Sequence, residues 1–324
     1  ARNVYATAYT TNGESRKDIA LRVAKALPLS PSETDCLSAN PIRLDASVLP
    51  GVNFAMQQNG ASIIHLLTIE NTTDSVPENL ELEIRSTPEF TLPFTRHIDL
   101  LPAHKAISVA RPKLMLNGEF LAGMTEKLTG TLHMTLRSGD TVLASDYREI
   151  TVYAYDEWHG LGLYPELLSA FVTPNHPEIA RILARATEFL GSWTGDTSMD
   201  AYQSRDPNRV LQQAAAIFTA MKEQAISYVV PPASFERMGQ RVRLCDTVLQ
   251  QKLGTCLDLT LLYASCLEAA GLHPLLLTTP GHIFTGLWLE DKMFPECVQD
   301  DVSLITKRLA SGINEIAVVE TTGV

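Results

Sequence analysis

Cys256 stands in the run Gly254-Thr255-Cys256-Leu257-Asp258, just before an apolar helical stretch over residues 259–270 that stops at Gly271. A thiol in the first turn of a buried helix faces free backbone N–H groups and the positive end of the helix dipole, which favours the thiolate and raises its nucleophilicity. Downstream, Leu275-Leu276-Leu277-Thr278-Thr279 has the character of a buried strand and Pro280-Gly281 of a turn. His282 then opens a second strand, residues 283–289, and can lay its imidazole beside the sulfur. A thiol and an imidazole so arranged perform nucleophilic acyl chemistry: sulfur attacks a carbonyl, and the ring carries the proton to the leaving group. The backbone N–H of Cys256, at the helix start, is the natural donor to the oxyanion that forms.

The elements that must position this pair begin at Asp156-Glu157-Trp158-His159-Gly160, where the composition turns helical. Periodicity predicts a short helix over 165–171, longer ones over 177–191 and 208–225, and a brief one over 247–252 that leads to Gly254. Upstream, residues 42–157 have a different character. Period-two alternation over 62–70, 80–86, 107–114, 128–136 and 142–153 is separated by turn clusters at Asn71-Thr72-Thr73-Asp74, Leu116-Asn117-Gly118 and Ser138-Gly139-Asp140. This pattern predicts an antiparallel β-sandwich of immunoglobulin-like architecture, with a binding or spacer role. Residues 1–41 read as an N-terminal extension with one amphipathic helix over 15–27 and a Pro/Ser-rich connector over 28–41. The fold class is therefore α+β, divided as 1–41, 42–157 and 158–324.

A chain of 324 residues with 45% hydrophobic content can bury a substantial core. Its net charge of -11, with the acids scattered, argues against nucleic-acid binding by this chain and against an anionic membrane surface. No apolar run approaches the roughly 20 residues of a spanning helix, and no signal-peptide pattern opens the chain, so a cytoplasmic protein is expected. The five cysteines include no C-x-x-C pair, which argues against a disulfide framework or a structural zinc site. Cys266, inside the apolar helix, behaves as a small hydrophobe. The start at Ala1 fits a piece of a longer protein.

The order Tyr228, Pro231-Pro232, Ser234-Phe235-Glu236, Gly239-Gln240-x-Val242-Arg243, Gly254-Thr255-Cys256-x-Asp258, Gly281-His282 resembles the transglutaminase-like branch of the papain-like cysteine enzymes. More narrowly, it is similar to the region near the N-terminus of large bacterial proteins that continue into a superfamily-1 helicase and a nuclease-like domain. The likeness covers residues 164–322. It implies a papain-type α+β domain in which Cys256 is the nucleophile, His282 the base and Glu320, in Ile316-Ala317-Val318-Val319-Glu320-Thr321-Thr322, the orienting acid. Glu290 and Asp291 are nearer to His282 in sequence but fall at a strand end.

The same resemblance offers Gln250, six positions before Cys256, and Gln240 as side-chain donors to the oxyanion. Asp258 reads as a helix cap. Arg241 and Arg243 are spaced to face one side of a strand, where they either pair with acids such as Glu236 or Asp246 or grip a substrate carboxylate. Trp288 either packs the core behind His282 or walls the acyl pocket. The implied activity is thiol-dependent cleavage of a peptide or amide bond, or acyl transfer, with a protein or peptide substrate and no metal or cofactor. A non-catalytic interaction module of a nucleic-acid-processing protein, such as one defending against foreign DNA, is the alternative.

Overall fold

The computed structural model describes residues 5–7, 41–162, 164–230 and 239–323. The helix expected over 15–27, most of the connector, and the Pro231-Pro232 and Ser234-Phe235-Glu236 runs lie outside the described residues. The first described strand is β1 (Tyr5–Thr7). The described residues divide into two compact units, one ending at Glu157 and the other made of β1 and the chain from Trp158 onward.

The first unit is built from β2 (Ile42–Val48), β3 (Gly51–Val52), α1 (Phe54–Gln58), β4 (Ile64–Asn71), β5 (Glu78–Thr87), β6 (Phe94–Leu100), β7 (Ala106–Ala110), α2 (Gly118–Ala122), β8 (Leu128–Ser138) and β9 (Thr141–Val152). They form a three-stranded sheet, β2-β4-β7, and a five-stranded one, β3-β9-β8-β5-β6. Only β3 runs parallel to its neighbour. Leu80, Leu82 and Ile84 on β5 and Leu132, Met134 and Leu136 on β8 are fully buried, so alternate residues line one face as the pleat requires. β2, β3, β6, α1 and α2 are not among the runs named from the sequence, and two of these differences have a plain cause. β6 is an edge strand that buries Ile98 alone, too little alternation to register as a strand. Leu116-Asn117-Gly118 is not a simple turn: the Asn117 side chain accepts from the Phe120 N–H and caps α2.

The second unit carries a 3-10 helix (Pro165–Phe171), α3 (Pro177–Thr194), α4 (Pro207–Lys222), β10 (Ser227–Tyr228), α5 (Cys245–Gln251), β11 (Leu253–Gly254), α6 (Cys256–Ala269), β12 (Pro274–Thr279), β13 (His282–Trp288), β14 (Val298–Gln299), α7 (Ser303–Leu309) and β15 (Ile316–Val319). Its main sheet has the order β14-β1-β12-β13-β15. β12 and β13 form an antiparallel hairpin whose last pair, Thr279 with His282, leaves Pro280-Gly281 as the turn. β15 runs antiparallel to β13, from Thr285 opposite Val319 to Trp288 opposite Ile316.

α6 is buried on every side from Cys256 to Leu267, which is why its sequence is apolar without an amphipathic stripe. It packs among α3, α4 and α5 on one face of the sheet, with Leu287 and Leu289 in the same cluster. On the other face Leu275, Leu277, Trp288 and Ile316 pack with Phe294 and Ile305 of α7. α6 ends in two reverse bonds, Leu272 N–H to the Leu267 carbonyl (2.9 Å) and Gly271 N–H to the Glu268 carbonyl (3.0 Å). This is the Schellman arrangement, and Gly271 supplies its left-handed residue at φ +78°. α7, which the sequence reading did not contain, buries Ile305 alone and so lacks an apolar period. Among the described residues no helix is long and apolar enough to cross a membrane.

Leu267→Ala removes a fully buried side chain from this cluster. It is expected to destabilise the second unit by about 2–5 kcal/mol, read as a lower urea midpoint at unchanged slope.

Candidate active site

Cys256 is the first residue of α6, and a capping box fixes the turn it sits on. The Thr255 hydroxyl accepts from the Asp258 N–H at 3.3 Å, and the Asp258 carboxylate accepts from the Thr255 N–H at 2.9 Å. Asp258 therefore has the capping role expected of it, and more. The same carboxylate accepts from the backbone N–H of Arg243 at 2.8 Å and from its guanidinium at 3.1 Å. Arg243 thus pairs with Asp258, an acid the sequence reading had not matched to it. Arg241 ends a two-residue strand, Gln240–Arg241, that does not extend to Arg243, and it is exposed. Just before them Gly239 lies at φ +77°, and a Cβ there would stand 2.2 Å from the Trp158 carbonyl oxygen, so only glycine fits this approach.

His282 and Glu320 meet directly. Nε2 of the imidazole is 2.7 Å from the Glu320 carboxylate, with the two side chains 31% and 54% exposed. This leaves Nδ1 as the ring nitrogen available to a thiol. Glu320 is itself anchored, because its other oxygen accepts from the N–H and the hydroxyl of Thr322 at 3.0 and 2.8 Å. Burial works to raise its pKa, but the Thr322 bonds and His282 outweigh burial and hold the carboxyl below its ordinary range. The imidazole also lies over Phe284, with ring centroids 6.0 Å apart and planes inclined by 26°.

The backbone N–H groups of Ile283 and Leu257 favour the charged form of the Cys256 thiol, which associates it with the strand residue that follows His282. The hydrogen bond of the imidazole goes to Glu320 rather than to the thiol. Burial raises the Cys256 pKa, and these two N–H groups, with Asp258 and Glu320 opposing them, do not reverse it. Position at the helix start is therefore not the largest influence on this thiol: the residue is 9% exposed, and burial outweighs the N–H groups that favour its charged form.

The remaining candidates separate. Gln250 is exposed on α5 and lines a surface cleft with His176, Glu178, Gln224 and Lys252, a lining that includes neither Cys256 nor His282. Gln240 is half-buried, and its buried Oε1 makes no hydrogen bond. Trp288 is 2% exposed and packs on Phe294, with Arg308 over its ring. It stands six strand residues from His282, roughly 20 Å at the rise of an extended chain. Its place is in the core, not at the sulfur. Glu290 and Asp291 lie beyond the same end of β13 as Trp288.

Two residues join the site without having been singled out. Tyr228 pairs with Gly254 where β10 runs parallel to β11, and the Val229 N–H donates to the Gly254 carbonyl at 2.9 Å. Burial first, then Cys256 and Glu320, raises the pKa of its phenol. Tyr228 opens the residue pattern quoted above, which was its one signal in the sequence. Thr260, one helical turn after Cys256, is fully buried against Ile283 and Thr321. The i, i+4 spacing from the cysteine marks it only once that helix face is known to meet the sheet.

Asp258→Ala would leave Arg243 beside an empty cap. A loss of about 3 kcal/mol is expected in thermal or urea unfolding, the low end for breaking a buried pair because the Arg243 side chain is 34% exposed. The raised thiols of Cys245, Cys256 and Cys266 have a shared consequence. A thiol whose folded pKa exceeds its unfolded value stabilises the fold below the unfolded value, about 8.5, and loses that contribution as pH climbs above it. Unfolding midpoints should fall between pH 8 and 10, and iodoacetamide labelling of Cys256, followed by peptide mapping, should keep accelerating above pH 8.5.

No model of a known protein family matches this chain, and no curated protein matches it.

Proposed function

We propose that residues 158–324 are a transglutaminase-like, papain-type cysteine enzyme that cleaves a peptide or amide bond through an acyl-enzyme on Cys256. The observation that supports this best is the 2.7 Å bond between His282 and Glu320 at the start of β13, whose next residue, Ile283, has a backbone N–H that favours the charged form of the Cys256 thiol. On this reading residues 42–157 are an immunoglobulin-like sandwich that binds or spaces, and the chain belongs to a larger bacterial helicase-linked protein in the cytoplasm. The two sheets of that unit, each with buried alternate residues, support the sandwich.

The reaction follows from the neutral thiol. His282 Nδ1 takes the Cys256 proton as sulfur attacks the substrate carbonyl, and Glu320 holds the imidazolium through Nε2. The Cys256 N–H at the head of α6 meets the oxyanion. Collapse expels the amine, which leaves with the proton from His282, and a thioester remains. Water, deprotonated by His282, then attacks the thioester and releases the acid and the free thiol. The steps as written use no metal or cofactor. Hydrolysis is chosen over transfer to an amine because the prokaryotic enzymes this residue pattern resembles are more often peptidases.

A second reading, a non-catalytic interaction module of a nucleic-acid-processing protein such as one used in anti-phage defence, is favoured by one observation. The thiol is buried and its pKa is raised, the reverse of a pre-formed thiolate.

The two readings part in a screen of peptidyl-aminocoumarin substrates. Release of fluorophore that Cys256→Ala abolishes and His282→Ala lowers by about 10²–10⁴-fold is the expected result, with Glu320→Gln less severe. No turnover on any substrate, together with unchanged iodoacetamide labelling of Cys256 in His282→Ala, would leave the interaction module standing. Incorporation of an added primary amine in excess of hydrolysis would make the enzyme a transferase.

A further inference from the structure

Thr260 sits where the three elements of the candidate site converge. Its side chain is fully buried, and its hydroxyl lies 3.2 Å from the carbonyl oxygen of Ile283 and 2.9 Å from the hydroxyl of Thr321. A threonine has a single O–H, so the proton of Thr260 goes to Ile283, and Thr321, also fully buried, must donate to Thr260. The two partners are the chain neighbours of His282 and Glu320. Thr260 is on the same helix as Cys256, one turn further along, so one oxygen links the helix of the nucleophile to the strand end of the base and the strand end of the acid.

That link is placed where the sheet stops helping. The pairing of β13 with β15 begins at Thr285 opposite Val319, and no ladder pair between these strands reaches His282 or Glu320. Beyond Val319 the chain enters the 3-10 turn Thr321–Gly323. The relative position of the two strand ends is left to side chains, and the buried pair Thr260 and Thr321 is the contact beneath the half-exposed bond of His282 to Glu320.

We propose that Thr260 is a positioning residue: its hydroxyl sets the spacing of His282, Glu320 and Cys256 by holding the carbonyl of Ile283 and the hydroxyl of Thr321 at the N-terminal part of α6. The inference rests on the reading of those three residues as a catalytic set. Thr260 does not touch substrate, and it acts through the backbone at residues 283 and 321. Valine in its place keeps the shape and loses both bonds. Serine keeps both bonds and loses a methyl group.

The test compares the parent chain with Thr260→Val, Thr260→Ser, Thr321→Val and His282→Ala. One readout is the imidazole Nε2–H of His282 in proton NMR, recorded in the cold, where the bond to Glu320 protects it from exchange, and assigned by its loss in His282→Ala. The other is the pH profile of Cys256 labelling by iodoacetamide, mapped by mass spectrometry, with thermal unfolding recorded alongside. Thr260→Val should lose the protected proton, and its labelling profile should merge with that of His282→Ala, while Thr260→Ser retains both features even if its unfolding midpoint falls equally. On any substrate found in the screen, kcat should drop by about 10²-fold for Thr260→Val, the order that a misplacement of about 1 Å produces, with KM changing far less. A protected proton that survives in Thr260→Val, or a serine variant as impaired as the valine one, would overturn the inference. Should Thr260→Val fail to fold, Thr321→Val and Thr260→Ser decide it by the same readouts. Labelling of Cys256 that is indifferent to His282→Ala would sink the enzyme reading alone, because the NMR signal still reports on Thr260.

Discussion

One buried carboxylate governs the second unit. Asp258 has no exposed side-chain surface, and an ionised carboxylate in that position is tolerable only if its lone pairs are met. Three groups meet them: the Thr255 N–H at the head of α6, the Arg243 N–H, and the Arg243 guanidinium. Through these bonds the segment before α5 is tied to the first turn of α6, and the position of Cys256 follows. The helix dipole adds a favourable interaction with the same negative charge. The arrangement has an electrical consequence for the thiol. A carboxylate two residues from Cys256 opposes thiolate formation, so the group that fixes the turn also helps to keep the sulfur protonated.

The titrating groups around Cys256 are pushed in opposite directions. Burial lifts the thiol, while Glu320, bonded to Thr322 and His282, is held ionised. Groups whose environments separate their pKa values divide the labour of proton transfer, one holding charge and another moving it. Here Glu320 is the group held toward its charged form, and His282 is bonded to it. β10, paired with β11, brings Tyr228 beside Gly254 in the loop before Cys256.

The site occupies the ends of elements rather than their middles. α6 provides a rigid body because it is buried all round, and the hairpin of β12 and β13 is held by a continuous ladder from Pro274 opposite Leu287 to Thr279 opposite His282. Only at β15 does the ladder stop short of the residue that matters. A site on strand ends gains access to solvent, visible in the partial exposure of His282 and Glu320, and surrenders the backbone bonds that would otherwise fix it.

Elements with strong periods and clear stops were legible in the residues alone: the helix after Cys256 with its Gly271 terminus, the hairpin around Pro280-Gly281, the cap at Asp258, and the mixed helix and strand content. These are local properties, written in residues within one or two turns of each other. The sequence also placed Cys256, His282 and Glu320 on a helix start and two strand ends. The tertiary structure decided what their neighbours would be. Burial of Cys256 depends on what packs around α6, so the direction of its pKa could not be read from a helix N-terminus. Arg243 met Asp258 across 15 residues, and Thr260 met Thr321 across 61. Gln250 kept its six-residue spacing from Cys256 yet faces another cleft, because α5 turns that side outward. Weakly buried elements such as β6 and α7 were invisible for the same reason: each buries a single apolar residue, and one residue carries no period.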